Sequence, residues 1–163
     1  MKKQKISSEI KVFDSIEELP KSAYNLMQKA TQAKLNAYSP YSNFQVGAAL
    51  QLANEEIVVG NNQENSSYPA GLCAERVALF YASANYPDQA IQMMALTASP
   101  VDKPNDQPVP PCGSCRQVIA EYEYKFDQAI EIYFMGDRGK VIAVNSIKAL
   151  LPLAFDRSFL SQV

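Results

Sequence analysis

The sequence predicts an α/β fold, a three-layer α/β/α sandwich with a mixed five-stranded sheet. Apolar runs of strand length alternate along the chain with stretches of helical period, as expected for helices layered on a sheet. The strands predicted over residues 44–52 and 57–60 are separated by only four residues, three of them polar. They should therefore pair as an antiparallel hairpin, which makes the sheet mixed. The chain has 163 residues, 47% of them hydrophobic, which suits one core but not two ordinary domains. We therefore expect a single domain over residues 1–163, with residues 1–19 as a peripheral N-terminal extension.

The N-terminal part of the chain predicts a short strand and then a helix. Residues 6–13 carry a weak strand signal. From Pro20 to Ala37 apolar residues recur at helical spacing, and a proline suits a first helical turn, where its missing N–H would have no partner. The residue before Pro40 is driven out of the helical region, so the helix ends there. The predicted apolar face consists of Ala23, Leu26, Met27, Ala30, Ala33 and Ala37.

A hairpin, a helix and a buried strand come next. Residues 44–52 and 57–60 flank a polar turn and predict a β-hairpin. Residues 73–84 predict a helix, and the mostly apolar residues 91–97 predict a buried strand. One side of this helix carries Val77, Phe80, Tyr81 and Ala84.

The C-terminal part predicts a loop, a helix and a second hairpin. Residues 101–111 contain four prolines and must be a loop. A short helix is expected over 113–123, and strands over 131–135 and 140–144 enclose a turn that contains two glycines. Ser146 has the side chain of a helix N-cap and predicts a last short helix.

The composition excludes several classes of function. The chain has no histidine, so it can form no Ser-His-Asp triad and offers no imidazole metal ligand. Its formal net charge of −2 argues against a protein that binds by neutralising phosphates. No apolar run approaches the roughly 18 residues of a membrane helix, and none follows the basic N-terminus as a signal peptide would require. We expect a soluble, cytoplasmic protein whose partners include neither nucleic acid nor membrane.

Three cysteines are the main candidates for chemistry, since all lie at or next to predicted helix starts. Cys73 begins one helix, and Cys112 and Cys115 lie three residues apart at the start of another. Free N–H groups and the helix dipole favour thiolates at such positions. An odd number of cysteines argues against a disulfide framework. Three thiolates without a fourth protein ligand are what a catalytic zinc needs, because the open position holds a water.

Charged neighbours of these cysteines extend the candidate site. Glu75 lies two residues beyond Cys73, where its carboxylate could carry protons for a zinc-bound water. Three thiolates would leave the zinc site with a net negative charge. Arg76 and Arg116 each follow a candidate ligand, and their guanidinium groups would offset that charge if they donate to the sulfurs.

Other interpretations of the same residues remain open at this point. Cys112 and Cys115 could form a redox dithiol, although that leaves Cys73 unexplained. A structural zinc would need a fourth ligand, which only an adventitious carboxylate could supply. Glu75 taken alone would be an ordinary exposed helix glutamate.

Several segments together resemble the small zinc-dependent cytidine deaminases, within the wider cytidine and deoxycytidylate deaminase superfamily. The core of the resemblance is a Cys-Ala-Glu sequence followed by Pro-Cys-x-x-Cys, the all-cysteine version of the deaminase zinc signature. It spans about residues 21–157, with the motifs in the family's order. The matching segments are AYSPYSNFQVGAAL (37–50), GNNQEN (60–65), YPAGLCAER (68–76), CGSCRQV (112–118) and LLPLAF (150–155).

The resemblance implies a cytidine deaminase-like fold and a defined reaction. It implies one zinc ion per chain, held by Cys73, Cys112 and Cys115, with Glu75 as the residue that carries protons. The implied activity is the hydrolytic deamination of cytidine and 2′-deoxycytidine to uridine and 2′-deoxyuridine in pyrimidine salvage, with release of ammonia.

The resemblance also implies how the substrate is held. The positions of Asn62 and Glu64 bind the ribose hydroxyls in the family, and a carboxylate beside an amide is a sensible sugar clamp. Phe44 would pack near the pyrimidine ring, and the backbone of Ala74 would contact the base. Phe155 would reach the pyrimidine of a neighbouring subunit, in a homotetramer with composite active sites (a dimer being the alternative).

Competing functions predict different residues or charges. A blasticidin-S-type deaminase shares the zinc ligands and Glu75, but Asn62, Glu64 and Phe155 favour a nucleoside enzyme. A polynucleotide-editing deaminase should carry a basic channel with stacking aromatics, which this mildly acidic chain lacks. Composition alone would assign residues 61–65 to a polar turn. The loop at 100–111 is longer and richer in proline than in the shortest family members. It lies beside the metal ligands in the sequence, where it could reshape the mouth of the pocket or a subunit contact. The first twenty or so residues have no counterpart in the minimal family pattern.

Overall fold

The structure is a computed structural model that describes residues 1–160. Within this range the chain forms three α-helices and six β-strands, connected by loops and single 3₁₀ turns. In chain order these are β1 (Lys11–Phe13), α1 (Lys21–Lys34), β2 (Phe44–Leu52), β3 (Ile57–Asn61), α2 (Ala74–Asn85), β4 (Ile91–Pro100), α3 (Gly113–Phe126), β5 (Glu131–Met135) and β6 (Val141–Val144).

The strands form one mixed sheet in the order β1-β6-β5-β4-β2-β3. In the described range β4 and β5 are the one parallel pair, and the other neighbours run antiparallel. The mixed sheet is confirmed, but it has six strands rather than five. The sixth is β1, which pairs with β6 and so covers backbone groups that an edge strand would otherwise expose. It uses only three of the eight residues in the weakly predicted strand.

Two hydrophobic clusters lie on opposite faces of the sheet, which confirms the three-layer sandwich. One cluster lies between the sheet and the pair α2 and α3, and the other lies between the sheet and α1. Alternation along β2 supplies both: Leu50 and Leu52 belong to the first cluster and Ala49 to the second. Helices α2 and α3 therefore begin side by side on the same face.

Helix α1 packs on the predicted residues but ends three residues early. Ala23, Leu26, Met27, Ala30 and Ala33 are all buried, as predicted. The helix ends at Lys34, and the chain leaves it to pair with β3, since Tyr38 donates its N–H to the carbonyl of Asn62 at 3.0 Å. Ala37 is therefore only half-buried.

Helix α2 packs on the side opposite to the one that carries Val77, Phe80, Tyr81 and Ala84. Phe80 and Tyr81 are 43% and 55% exposed. The buried residues are mostly small: Ala74, Glu75, Ala78, Leu79 and Ala82. The reason is the close approach of α2 to Gly60 on β3, where an added Cβ would lie 2.7 Å from both the carbonyl oxygen of Ala74 and the amide nitrogen of Ala78.

The remaining elements differ from the predictions mainly at their ends. Strand β4 continues to Pro100 and α3 to Phe126, each three residues further than predicted. Residues 101–111 form a loop, as predicted. Ser146 caps a single 3₁₀ turn rather than a helix, and its hydroxyl accepts from the N–H of Lys148 at 3.1 Å. No helix within residues 1–160 is both long enough and apolar enough to cross a membrane.

Candidate active site

The three cysteines meet where α2 and α3 begin. Cys73 is the N-cap residue of α2, Cys112 is the N-cap residue of α3, and Cys115 lies in the first turn of α3. Their sulfur atoms all lie within 4.8 Å of one another, and those of Cys73 and Cys112 are 3.8 Å apart. Zinc–sulfur bonds of about 2.3 Å in a tetrahedral site place the sulfurs roughly 3.8 Å apart. The thiol positions therefore fit a zinc ion without rearrangement of the helices.

The electrostatics of the cluster favour negative charge on sulfur. Hydrogen bonds from Cys115 and Arg76 lower the pKa of Cys73 to about 5, although burial opposes this shift. The same contact with Cys73, together with burial, raises the pKa of Cys115. The cluster thus keeps a thiolate next to a protonated thiol, and a cation that binds to all three sulfurs displaces thiol protons.

Glu75 lies in the same cavity with a carboxylate oxygen that the fold leaves unpaired. The residue is only 4% exposed, and its Oε2 atom has no hydrogen-bond partner among the described residues. Burial raises the pKa of this carboxyl group, and the negative charge of Cys73 adds to the effect. A buried carboxylate oxygen without a partner is costly, so its retention beside three thiols fits a site completed by a metal and its ligands.

The cavity next to Cys73, Glu75 and Cys112 has a volume of about 500 Å³. This is enough space for a small molecule, at the lower end of the usual range for ligand sites. Within residues 1–160 no lysine or arginine lines it, and its acidic groups are the carboxyl groups of Glu64 and Glu75 and the thiols of Cys73 and Cys112. Much of its wall is apolar: Phe44, Val46, Leu72, Leu96, Ala98, Val109 and Pro110.

Asn62 and Glu64 line this cavity, and both also hold the surrounding backbone. The amide of Asn62 accepts from the N–H of Val46 at 2.8 Å and donates to the carbonyl of Phe44 at 2.9 Å. One carboxylate oxygen of Glu64 accepts from the N–H of Tyr41 at 2.9 Å. Residues 61–65 are therefore more than a polar turn, because they tie the preceding loop and β2 to the cavity.

The neighbouring hydroxyl makes Glu64 a stable anion. Hydrogen bonds from the Ser42 side chain and from the backbone N–H of Tyr41 lower the pKa of this carboxyl group. Its carboxylate remains partly exposed at the mouth of the cavity. It can thus accept hydrogen bonds from hydroxyl groups of a ligand at neutral pH.

The two predicted arginines have different contacts. Arg76 donates to the sulfur of Cys73 at 3.9 Å and to the carbonyl of Gly71 at 3.5 Å. Within the described residues, the hydrogen bonds of Arg116 go to the carbonyls of Pro111 at 2.8 Å and Leu150 at 2.9 Å, not to a sulfur. Arg116 therefore fixes the backbone just before Cys112.

Two other predicted residues lie outside the cavity wall of this chain. Ala74 is fully buried at the start of α2, between Cys73 and Glu75. Phe155 is 57% exposed and stacks on Phe159, with ring centroids 5.8 Å apart. Among the described residues the Phe155 ring is thus more than half exposed, so it can contact another molecule.

Val109 and Pro110 are among the cavity-wall residues that sequence reasoning did not name as such. Both come from the proline-rich loop, which was expected to lie beside the metal ligands, although none of its residues was assigned to the site. Their position immediately before Cys112 is the signal that could have revealed them, because a residue so close to a metal ligand must lie near the metal.

Three thiols around a tetrahedral position, with a buried carboxylate beside them, can activate water for attack on a bound molecule. By class, this arrangement is that of a zinc-dependent hydrolase, and comparison with known proteins identifies the reaction as a deamination. The profile of the family described as "Cytidine and deoxycytidylate deaminase zinc-binding region" matches residues 20–127.

Curated and solved relatives agree with this match. A cytidine deaminase of Halalkalibacterium halodurans is 40% identical over 80% of this chain and 91% of its own length. A cytidine deaminase of Sporosarcina psychrophila is 38% identical over 83% of this chain and 93% of its own. The crystal structure of cytidine deaminase from Burkholderia pseudomallei superposes with a TM-score of 0.71 at 36% identity, over 81% of this chain and 98% of that one. The chain belongs to the cytidine and deoxycytidylate deaminase family.

Proposed function

We propose that this chain hydrolyses the amino group of cytidine and 2′-deoxycytidine, giving uridine and 2′-deoxyuridine with release of ammonia. The observation that carries this proposal is the unpaired, buried Oε2 atom of Glu75 in the cavity that the three cysteines share. A carboxylate in that position can move protons between an attacking water and a leaving amino group. This reaction would serve pyrimidine salvage.

Cys73, Cys112 and Cys115 would hold the zinc ion. When bound, zinc supplies a Lewis acid that lowers the pKa of water towards about 7. Glu75 accepts a proton from the attacking water at Oε2 and delivers it to N3 of the pyrimidine as the water oxygen bonds to C4. The carboxylate then transfers the second proton of the water to the amino group, the C4–N bond breaks, and ammonia leaves behind a C4 carbonyl.

Asn62 and Glu64 would recognise the sugar. The Glu64 carboxylate accepts hydrogen bonds from ribose hydroxyls, and the amide of Asn62 retains one N–H beyond its bond to Phe44. The ring of Phe44 packs against the pyrimidine, and the backbone of Ala74 contacts the base. A free base would leave these polar groups without partners, which disfavours it as a substrate.

Charge favours a nucleoside over a nucleotide. The described cavity wall carries the carboxylates of Glu64 and Glu75 and no cationic side chain that could neutralise a phosphate. A phosphate in this cavity would meet like charges, which cost several kcal/mol when they are close together. For the same reason, a polynucleotide substrate is disfavoured.

We further propose that the enzyme is a cytoplasmic homotetramer whose active sites are shared between subunits. Phe155 and Phe159 form an exposed aromatic pair that lies outside the cavity of their own chain. Exposed apolar groups of this kind favour contact with another protein surface. In the assembly Phe155 would contact the pyrimidine bound by a neighbouring subunit.

The first experiment compares five substrates with the purified protein: cytidine, 2′-deoxycytidine, cytosine, cytosine-containing single-stranded DNA and blasticidin S. Ammonia release and the ultraviolet change report turnover, and zinc is counted per chain. We expect turnover of the two nucleosides and not of the other three compounds. A protein with one zinc per chain that leaves both nucleosides unchanged would contradict the proposal.

Glu75→Gln tests the proton carrier. The amide keeps the shape of the side chain but cannot accept and return a proton, so turnover should fall by about 10³-fold or more while zinc is retained. Glu121→Gln is the matched control, because Glu121 is an exposed glutamate on α3. Near-normal rates in Glu75→Gln would exclude the assigned role.

A further inference from the structure

A partly buried ion pair that the proposed mechanism does not use lies at the end of α1. Lys34 is only 5% exposed. Its ammonium group donates to the hydroxyl of Ser99 at 2.8 Å and to the carboxylate of Asp137. Lysine is almost never buried unless it is paired, and such a pair adds little stability compared with apolar residues. The pair is therefore better explained by the chain segments that it holds in place.

Asp137 connects this ion pair to the proline-rich loop. Its second carboxylate oxygen accepts from the backbone N–H of Asn105 at 2.9 Å. Its own N–H donates to the carbonyl of Asn105 at 2.7 Å. The backbone of Gly136 lies so close to Asn105 that a Cβ added to Gly136 would be 2.3 Å from the same carbonyl oxygen. The backbone of Asn105 is thus held from both sides.

The side chain of Asn105 connects the loop to the wall of the cavity. Its amide nitrogen donates to the carbonyl of Ala98 at 3.2 Å and to that of Gln107 at 2.9 Å. Its amide oxygen accepts from the N–H of Gln107 at 3.0 Å. Ala98 lies on β4 and lines the cavity, so Asn105 joins the loop to the strand that the substrate would contact.

The chain between Asn105 and the metal ligand is short and stiff. Only residues 106–111 separate Asn105 from Cys112, and three of these six are prolines, whose φ angles are fixed. Val109 and Pro110 line the cavity within this segment. The position of Asn105 thus determines the positions of the cavity wall and of Cys112.

We propose that Lys34, Asp137 and Asn105 form a loop anchor that positions both the Val109–Pro110 wall of the cavity and the ligand Cys112. None of the three anchor residues touches the cavity, so they are positioning residues rather than catalytic ones. The anchor explains why an ion pair with a buried lysine is kept outside the cavity: it fixes a wall of the site that no helix or strand supplies.

The test is Asn105→Ala in the full-length, zinc-loaded protein. This change removes the side-chain hydrogen bonds and leaves the backbone contacts with Asp137 in place. The measurements are KM and kcat for cytidine per bound zinc, the rate of zinc release to a chelator, and the thermal unfolding midpoint. Asp106→Ala is the matched control, since the Asp106 side chain bonds only to the exposed Gln107 side chain among the described residues.

We expect KM and the zinc-release rate of Asn105→Ala to rise roughly threefold to tenfold, the effect of losing one net hydrogen bond. The kcat per bound zinc should change less than twofold, and Asp106→Ala should match the wild type throughout. A folded Asn105→Ala protein in which KM or zinc release stays at the wild-type value overturns the proposal. An equal change in Asp106→Ala also overturns it.

The KM measurement rests on the proposed function, whereas zinc release does not. If the wild-type protein binds zinc but fails to turn over cytidine, the proposed function is wrong and the zinc-release ratio alone decides the anchor. The two failures are therefore distinguishable in one set of proteins.

Discussion

Replacing Gly60 with alanine should displace the helix that carries Cys73 and Glu75. Gly60 lies on β3 under the start of α2, where an added Cβ would meet the backbone of Ala74 and Ala78. A methyl group there would meet helix backbone, which cannot rotate away as a flexible side chain can. The change therefore tests whether this contact sets the position of the metal ligand.

The size of the displacement follows from the distances. An alanine Cβ at position 60 would lie 2.7 Å from the Ala74 oxygen and the Ala78 nitrogen, whereas ordinary contacts begin at 3.4 Å. Helix α2 must therefore retreat by about 0.7 Å, or the strand must yield by as much. Metal–ligand distances tolerate only about 0.2 Å, so Cys73 would no longer fit a zinc bound by the two cysteines of α3.

Two losses should be measurable. Overpacking of this kind typically costs 1–3 kcal/mol, which we expect as a lower free energy of unfolding in denaturant. Zinc affinity, measured by competition with a chelator, should fall roughly 10- to 100-fold, as it does when groups that orient ligands are changed. Turnover per bound zinc should also fall, because Glu75 moves with the same helix.

Gly113→Ala is the control, because Gly113 also neighbours a candidate ligand. An added Cβ there has no atom within 4 Å, and among the described glycines only Gly139 has a positive φ. Alanine in the first turn of α3 should leave zinc affinity unchanged and stability equal or slightly higher. Wild-type zinc affinity in Gly60→Ala, or an equal loss in Gly113→Ala, would refute the reasoning.

Three further changes test the site, the assembly and the ion pair. Cys112→Ala should abolish activity and reduce zinc content, whereas Ser114→Ala should keep both; full zinc retention in the first variant would contradict the ligand assignment. Phe155→Ala should weaken nucleoside binding and shift the oligomer in sedimentation, and an unchanged KM and assembly would exclude the cross-subunit role. Burial tends to raise the pKa of Asp137, but hydrogen bonds from Lys34 and other donors outweigh burial and lower this pKa. The ionised carboxylate therefore contributes stability above about pH 4, and this contribution is lost as the pH falls through the pKa of the folded state. Asp137→Asn should flatten the loss of stability in acid, measured as the denaturant midpoint against pH, and an unchanged acid slope would contradict this.

Patterns along the chain were sufficient to predict most of the fold, since period and turn chemistry are local. They failed for segments whose structure or orientation depends on a neighbouring element. Strand β1 is three residues long, too short for a periodic pattern, and it exists because the edge of β6 accepts it. On α2 the large apolar residues Phe80 and Tyr81 suggest a core face, but Gly60 draws the helix so close that alanines must face the sheet.

The same distinction applies to the site. Spacing at helix starts was enough to predict that Cys73, Cys112 and Cys115 lie together, because thiols at two helix N-termini can share one metal when the helices begin side by side. Proximity in sequence misled for Arg116: successive helix residues point about 100° apart, so a neighbour of Cys115 need not face its sulfur. Val109 was missed because an irregular loop has no period that reveals which side chains point inwards.

Arg76 and the two helix N-termini together would balance the charge of the metal site. Three thiolates would bring three negative charges to a divalent ion, an excess of one. Arg76 donates to Cys73, while Arg116 is bound to carbonyls. The N-termini of α2 and α3 each add roughly half a positive charge where Cys73 and Cys112 serve as N-caps. One guanidinium and two helix ends are therefore enough to offset the excess, and this leaves Arg116 available to fix the carbonyl of Pro111, the residue between the cavity wall and the ligand Cys112.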